Sequence, residues 1–484
     1  MSYKHGTYAE KAQYEGDLGS RSLGTIPAYI GTAPIHQMNN LGGSSFNYSA
    51  YINKPILLSS MSDAKSKIGY SDDWSNFTLG EAIKAHFDNG VKNVGPIIVI
   101  NMANPAELET TVTSATIILS GASGNKKGYI NDPLAAIENI EITGLNAGDY
   151  TMSYEDDKIL LAITKADYTN NTIAASYKRI DVNITASMFE KAIDSLDSCE
   201  MLTSCIPNLL LAPGYSSTPE YHNKMITKAL NKISSKWYFT VLSDIPADSL
   251  VNTLLAAKTW KETNNYNSVN DKVCYPKVRH NSKIYHLSTM VAVKTQIIDS
   301  ENDNVPYISA SNELVYAQAA VLDDGTQLLI TESQANELNA IGITTVNLIK
   351  GNLRIWGPHM ANYNYSKLDD ISPEDRSDSS VRMFIYLQNK LQYDFIDDID
   401  SPISRRDIDS IKVEIQLWLN SLVKEGKLLY GSIDFIESSN STADMINGDF
   451  VFDVKSTTTP NGKSFTFKVK YTTEGISSLV GGEE

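Results

Sequence analysis

Four apolar runs of strand length constrain this chain more than any other feature of its sequence. They are IPAYIG from Ile26, GPIIVINM from Gly95, the stretch 205–212, and WYFTVLSD from Trp237. The central two run on without alternation, as strands buried on both faces of a parallel sheet do. Between them, apolar residues recur at helical spacing: Leu79, Ile83 and Phe87, then Met225, Ala229 and Ile233. Further helices are expected over 188–195, 250–260 and 286–298. Strands alternating with helices predict an α/β body whose connections are right-handed crossovers.

The texture changes over residues 110–184. TVTSATIILS, ENIEITGLNAGDYTMSYEDDKILLAIT and TIAASYKRIDVNIT show short alternating runs, with turns at 121–128, Gly144, Gly148 and Asp156-Asp157. This predicts an all-β module at 104–187, inserted between body segments 25–103 and 188–352. An α+β domain is expected over 353–463. In it Ser404 and Asp407 have capping-box spacing, Ile408, Ile411, Ile415, Leu419 and Leu422 line one helix face, and Gly426 ends the helix. Short strands GSIDFIES and DFVFDVKS follow. The overall class is therefore a multidomain α/β (α+β) fold.

Both ends read as arms. Residues 1–24 are polar and rich in glycine and tyrosine, too poor in apolar side chains to bury a core. Residues 464–484 begin with SFTFKVKYTT, where Phe465, Phe467, Val469 and Tyr471 alternate with Thr466, Lys468, Lys470 and Thr472. A terminal strand with two distinct faces either closes a sheet within its own chain or adds to the sheet of another.

Charge and motifs exclude several functions. Against 41 Lys and Arg stand 57 Asp and Glu, a net charge of -16, which rules out nucleic-acid binding by bulk positive charge. No apolar run approaches the roughly 18 residues of a membrane helix, and the opening MSYKHGTYAEKAQYEGDLGS lacks the apolar core of a secretion signal. Cys199, Cys205 and Cys274 fit no zinc or redox spacing. His5, His36, His86, His222, His280, His286 and His359 form no H-E-x-x-H pair. Gly462-Lys463-Ser464 lacks the leading glycine of a phosphate loop, and Ser62 to Lys65 lacks the companions of an S-x-x-K enzyme. Asp397, Asp398 and Asp400 read as an exposed acidic loop, as do Asp299, Glu301 and Asp303. The expectation is no catalytic, cofactor-binding or metal-ligating residue.

Seven segments in order resemble the contractile phage tail sheath family, which includes R-type bacteriocin and injection-system sheaths. They are YKHGTYAE, IPAYIGTAPIH from Ile26, LLAPGYSSTPE from Leu210, VLSDIPA from Val241, CYPKV from Cys274, NVPYISASNE from Asn304, and IGITTVNLIKGNLRIWGPHMANY from Ile341. The last is the most specific, with Arg354, Trp356 and Gly357 in the family's pattern. The resemblance implies an α/β body, an outward β-rich insertion and a C-terminal domain facing an inner tube. It implies a helical homopolymer of stacked hexameric rings that contracts from a metastable state to drive the tube through a target envelope. Its partners would be the tail tube, baseplate and terminator proteins, with no direct nucleic-acid contact and no membrane insertion. It would belong to the tail of a virion, bacteriocin or injection particle, assembled in the host cytoplasm. Tyr8, Glu10, Phe465, Phe467, Val469 and Tyr471 would link subunits, with Gly16, Gly19 and Gly24 giving the N-terminal arm its bend. Glu10, Lys11, Glu15 and Asp17 depart from the more apolar arms of relatives. Arg405, Arg406 and Lys412 would face the tube. The alternative reading is a virion-associated β-rich enzyme or adhesin.

Overall fold

A computed structural model describes residues 24–39 and 46–476. The body opens with β1 (Pro27–Gly31), β2 (Pro55–Leu58), α1 (Met61–Lys67), α2 (Leu79–Phe87) and β3 (Ile97–Asn101). The insertion holds β4 (Leu108–Ile118), β5 (Lys126–Ile130), β6 (Ala135–Ile142), β7 (Tyr150–Glu155), β8 (Lys158–Ile163) and β9 (Thr172–Ile180). The body resumes with α3 (Ala186–Asp194), α4 (Cys199–Thr203), β10 (Leu209–Leu211), α5 (Pro219–Asn231), β11 (Thr240–Asp244), α6 (Leu254–Thr263) and β12 (Asp271–Cys274). It continues through β13 (Lys277–His280), β14 (Lys283–Tyr285), α7 (Leu287–Ser300), β15 (Ala319–Val321), α8 (Glu332–Asn339), β16 (Ile343–Ile349) and β17 (Asn352–Trp356). The C-terminal layer comprises α9 (Asp378–Asp394), α10 (Arg405–Lys424), β18 (Leu428–Asp434), α11 (Thr442–Asn447) and β19 (Asp453–Thr458).

The body sheet has the order β17-β16-β12-β11-β10-β1-β3-β2. Its six inner strands are parallel, and β2 and β17 close its edges antiparallel. The apolar runs are continuous because both faces are covered. Tyr29, Val99, Leu211 and Leu242 point toward α2 and α7, while Ala28, Ile30, Ile98, Leu210 and Val241 point toward α3 and α5. The expected strands and helices stand, with two adjustments. The stretch 205–212 yields only the three residues of β10, and α6 starts at Leu254 because the Thr253 hydroxyl caps it, accepting from Ala256 N at 3.2 Å.

The insertion is a sandwich of two three-stranded sheets, β4-β9-β6 and β5-β8-β7. Ile117, Ile142, Ile159, Leu161, Ile163 and Tyr177 fill the space between them. Gly128, expected in a turn, lies within β5. The module is seated on the body. Phe77 packs with Ala136 and Ile180, His36 Nε2 meets the Pro133 carbonyl at 3.0 Å, and Tyr48 bonds Glu138.

In the C-terminal layer, α10 packs Ile415, Leu419 and Leu422 against Met383 and Leu387 of α9 and against Leu428 and Ile433 of β18. The Asp407 carboxylate accepts from Ser404 N and Oγ at 2.8 and 2.6 Å, and Gly426 ends the helix with φ +73°. The boundary expected at 353 falls inside β17, which is hydrogen-bonded to β16 in the body sheet. The chain passes to the C-terminal layer at α9.

Of the acidic triplet expected to form an exposed loop, Glu301 and Asp303 are exposed and Asp299 is the correction. Asp299 is 0% exposed and paired with Arg382 of α9. Glu301 pairs with Lys92, and Asp303 with Lys427, just before β18. Two of the three acids therefore join the body to the C-terminal layer. Their cationic partners are distant in sequence, so spacing alone gives no sign of them.

Leu419 is fully buried at the centre of the C-terminal layer. Leu419→Ala is expected to destabilise that layer by about 2–5 kcal/mol, read as a lowered urea midpoint and faster amide exchange over 405–458. An unchanged midpoint would contradict this packing.

Candidate assembly surfaces

Among the described residues no three His, Cys, Asp or Glu side chains converge as a metal site requires. No helix among them is long and apolar enough to cross a membrane. The cysteines are free thiols. Burial pushes Cys199 up to about 12 and raises Cys205 and Cys274 as well, which removes thiolate character. His222, Asp271 and Ser243 form a buried group. There Ser243 and His222 both bond the Asp271 carboxylate, at 2.9 Å each, rather than each other. That order cannot activate a serine. Asp397, Asp398 and Asp400 are exposed.

The surfaces that stand out are those left uncovered. Beyond Thr458, residues 459–472 have no regular secondary structure. The chain there is anchored only at its root. Asn461 Nδ2 donates to Ser379 Oγ at 2.9 Å, and Lys463 Nζ reaches Tyr363 OH at 3.3 Å and lies over the Tyr365 ring at 5.3 Å. Past that root Phe465, Phe467, Val469 and Tyr471 are all exposed, Phe467 at 85% and Val469 at 94%. The strand expected over SFTFKVKYTT does not form, because no strand among the described residues supplies its ladder. Among the described residues, β18 and β19 form a sheet of two strands. Their register runs antiparallel with Ile433 opposite Val454, and α10 backs one face. A two-stranded sheet leaves an open edge on each side. Tyr8 and Glu10, with Gly16 and Gly19, lie outside the described residues. Gly24 is described and lies three residues before β1 begins at Pro27.

The proposed tube-facing residues divide. A helix advances 100° per residue, and α10 buries the side carrying Ile415, Leu419 and Leu422. Arg406 falls opposite that side. Arg405 and Lys412 fall on its flank, and Lys412 is half-buried. The outward face also carries Val413 at 59% and Leu417 at 63% exposure, one turn apart. The sequence reading gives this side to Arg405, Arg406 and Lys412. The signal it missed is the i, i+4 pair Val413 and Leu417 outside the main apolar stripe.

The segment with Arg354, Trp356 and Gly357 is a packing element. Arg354 Nη1 donates to the Asn312 carbonyl at 2.5 Å, and Trp356 Nε1 donates to Asn336 Oδ1 at 2.9 Å. Gly357 has φ +134°, and a side chain there would meet Thr344 Cα at 3.1 Å. Its carbonyl accepts from buried Lys272 Nζ at 2.9 Å, and that ammonium also pairs with Asp378 at 2.8 Å.

No protein-family model matches the chain. The chain is 24% identical over 99% of its length, and 99% of the relative's, to a curated protein named tail sheath protein from Burkholderia phage BcepMu. Two solved assemblies contain chains of similar fold. One is the cryo-EM structure of the anti-feeding prophage baseplate, with TM-score 0.57, 12% identity, and coverage of 98% of this chain and 100% of that one. The other is the sheath complex of PVC, an extracellular contractile injection system, in its contracted state. It gives TM-score 0.54, 13% identity, and coverage of 98% and 99%. At such identities the solved structures establish the mixed α/β fold, and the sequence relative extends along the whole chain.

Three histidines set a pH dependence. His359, stacked on Tyr363 at the root of the C-terminal segment, is pushed down to about 4 by burial. Burial likewise lowers His36, beneath the insertion, to about 4 and His86 to about 3. Unfolded histidines titrate near 6.5, so below that pH the unfolded chain binds more protons than the folded one. Stability falls as pH drops from 6.5 toward 4, by up to about 1.4 kcal/mol per pH unit per histidine. Imidazole NMR should find these three neutral at pH 5.5. Titration near 6.5 would refute their burial.

Proposed function

We infer that this chain is a structural subunit of a contractile tail sheath. The observation that carries this is likeness along the entire length: a sheath relative aligned end to end, and a fold shared over 98% of the chain with the injection-system sheath complex. Its work is mechanical. Such a subunit polymerises and contracts, so the parts that matter are its rigid body and whatever joins one body to the next.

The terminal segments are proposed as the joints. Phe465, Phe467, Val469 and Tyr471 alternate with polar residues and lie uncovered. Among the described residues the β18–β19 sheet, which this segment follows in sequence, has no third strand. An arm of one subunit adding to that sheet in another would satisfy both backbones and bury the apolar side chains. Contacts between unlike surfaces that do not close on themselves generate helices. The N-terminal arm, with Tyr8 and Glu10, would be the second joint, bending at Gly16, Gly19 and Gly24.

The inner partner is proposed to be a tail tube. The outward face of α10, with Arg406, Val413 and Leu417, is suited to it, and Arg405 and Lys412 would frame the contact. Baseplate and terminator proteins would cap the ends of a sheath of stacked hexameric rings. The particle would assemble in the host cytoplasm as part of a virion, bacteriocin or injection system. Contraction releases energy stored in subunit packing behind a kinetic barrier, with bodies moving nearly rigidly and arms as hinges. This calls for no catalytic group.

Two measurements test the reading. The purified chain should form tubes or rings in negative stain, whereas Phe467→Asp with Val469→Asp should stay as single copies with an unchanged melting temperature. Wild-type chain that never polymerises would overturn the function. Separately, Arg406→Glu with Val413→Asp should leave self-assembly intact but abolish assembly on the tube. Tube-bound sheaths of normal length in that variant would remove α10 from the inner contact.

A further inference from the structure

Five consecutive residues at the start of α9, 378–382, hold three separate parts of the molecule. Asp378 pairs with Lys272 of β12 at 2.8 Å and accepts from Ser309 Oγ at 2.9 Å. Ser379 exchanges hydrogen bonds with Asn461 at 2.9 and 3.2 Å, and Ser380 Oγ lies 2.7 Å from Thr458 Oγ1. Those two contacts fix the point where the chain leaves β19 for the C-terminal arm. Arg382 pairs with Asp299 and places Nη2 3.3 Å from Thr25 Oγ1. Thr25 itself donates to Asp299 at 2.5 Å, and its carbonyl accepts from Gln296 Nε2 at 2.9 Å. That fixes the point where the N-terminal arm enters β1. None of the five residues is more than 8% exposed.

Ser379 and Arg382 are separated by about 4.5 Å along the helix axis. The two ends of the chain are thus rooted within one turn of one rigid element, and the same turn is ionically bound to the body sheet. Buried directional bonds of this kind have few alternative arrangements, since a displaced partner leaves a polar group unsatisfied in a dry interior. A shift at either root must be absorbed by the helix turn or passed to the other root.

We propose that residues 378–382 form a coupling node that makes the two arm exits of a subunit mechanically dependent on each other. Its use in propagating contraction rests on the sheath reading. The coupling itself belongs to the single chain. Coupling between two sites is reciprocal, so a loosened C-terminal root must loosen the N-terminal root, and the reverse.

The test is hydrogen–deuterium exchange on the full chain, held as single copies by Phe467→Asp and Val469→Asp. In that background, Ser379→Ala with Ser380→Ala is expected to raise exchange at residues 24–28 at least tenfold, although neither serine touches them. Thr25→Ala is expected to raise exchange over 453–462. Asn389→Ala is the control on the same helix, because it removes bonds to the Tyr238 backbone at 3.0 and 2.8 Å. It should loosen the region around Tyr238 and neither exit. Exchange unchanged at the opposite exit, or raised equally by Asn389→Ala, would overturn the node. Polymerisation plays no part in this measurement, so its failure is distinct from failure of the sheath reading.

Discussion

Two buried charge pairs cross the boundary between the body and the C-terminal layer, Asp299–Arg382 and Lys272–Asp378. Burying an ion pair gains little stability over apolar side chains of the same size, because desolvation offsets the Coulombic attraction. Burial raises the Asp299 pKa, and the Arg382 charge and the Thr25 hydroxyl counter that rise. Removing one partner is a different matter, costing about 3–5 kcal/mol by leaving a lone charge in the interior. The effect of the pairs is therefore on geometry. An apolar interface can slide by a side chain at modest cost, but sliding here separates paired charges in the interior. The two layers have one way to dock.

That rigidity gives the segment with Arg354, Trp356 and Gly357 its meaning. Gly357 contributes a backbone carbonyl to Lys272, and Lys272 carries that contact to Asp378 at the head of α9. A segment with no reactive group is thus constrained as tightly as a catalytic one, through a close approach that a β-carbon would prevent. Motif and charge pair serve the same joint.

Much of the body was legible because burial on two faces, or on one, writes a period into the chain. The continuous runs at β1, β3 and β11, the insertion's alternation and the stripe on α10 all became elements close to where periodicity put them. What could not be read depends on partners far away in sequence. Asp299 looks like its neighbours Glu301 and Asp303 until Arg382 folds against it. The side of α10 carrying Val413 and Leu417 reads as a charged face because Arg405, Arg406 and Lys412 come before them in the helix. The alternation in SFTFKVKYTT was plain, but a strand pattern does not say which sheet it joins. Within the described residues it joins none.

That uncovered segment also sets an energy scale. Burying four large apolar side chains is worth roughly 1.5–3 kcal/mol each, or on the order of 6–12 kcal/mol for Phe465, Phe467, Val469 and Tyr471 before ordering costs. Ordering a dozen residues costs about 12–24 kcal/mol, at roughly 1–2 kcal/mol of backbone entropy per residue, so burial of these four side chains does not by itself hold the segment in place. In the proposed joint, the backbone ladder of a receiving strand must supply the remainder. The body resists unfolding by about 5–15 kcal/mol. In the proposed lattice an arm can yield while the layer boundary holds, because stripping one partner from either buried charge pair at that boundary costs about 3–5 kcal/mol.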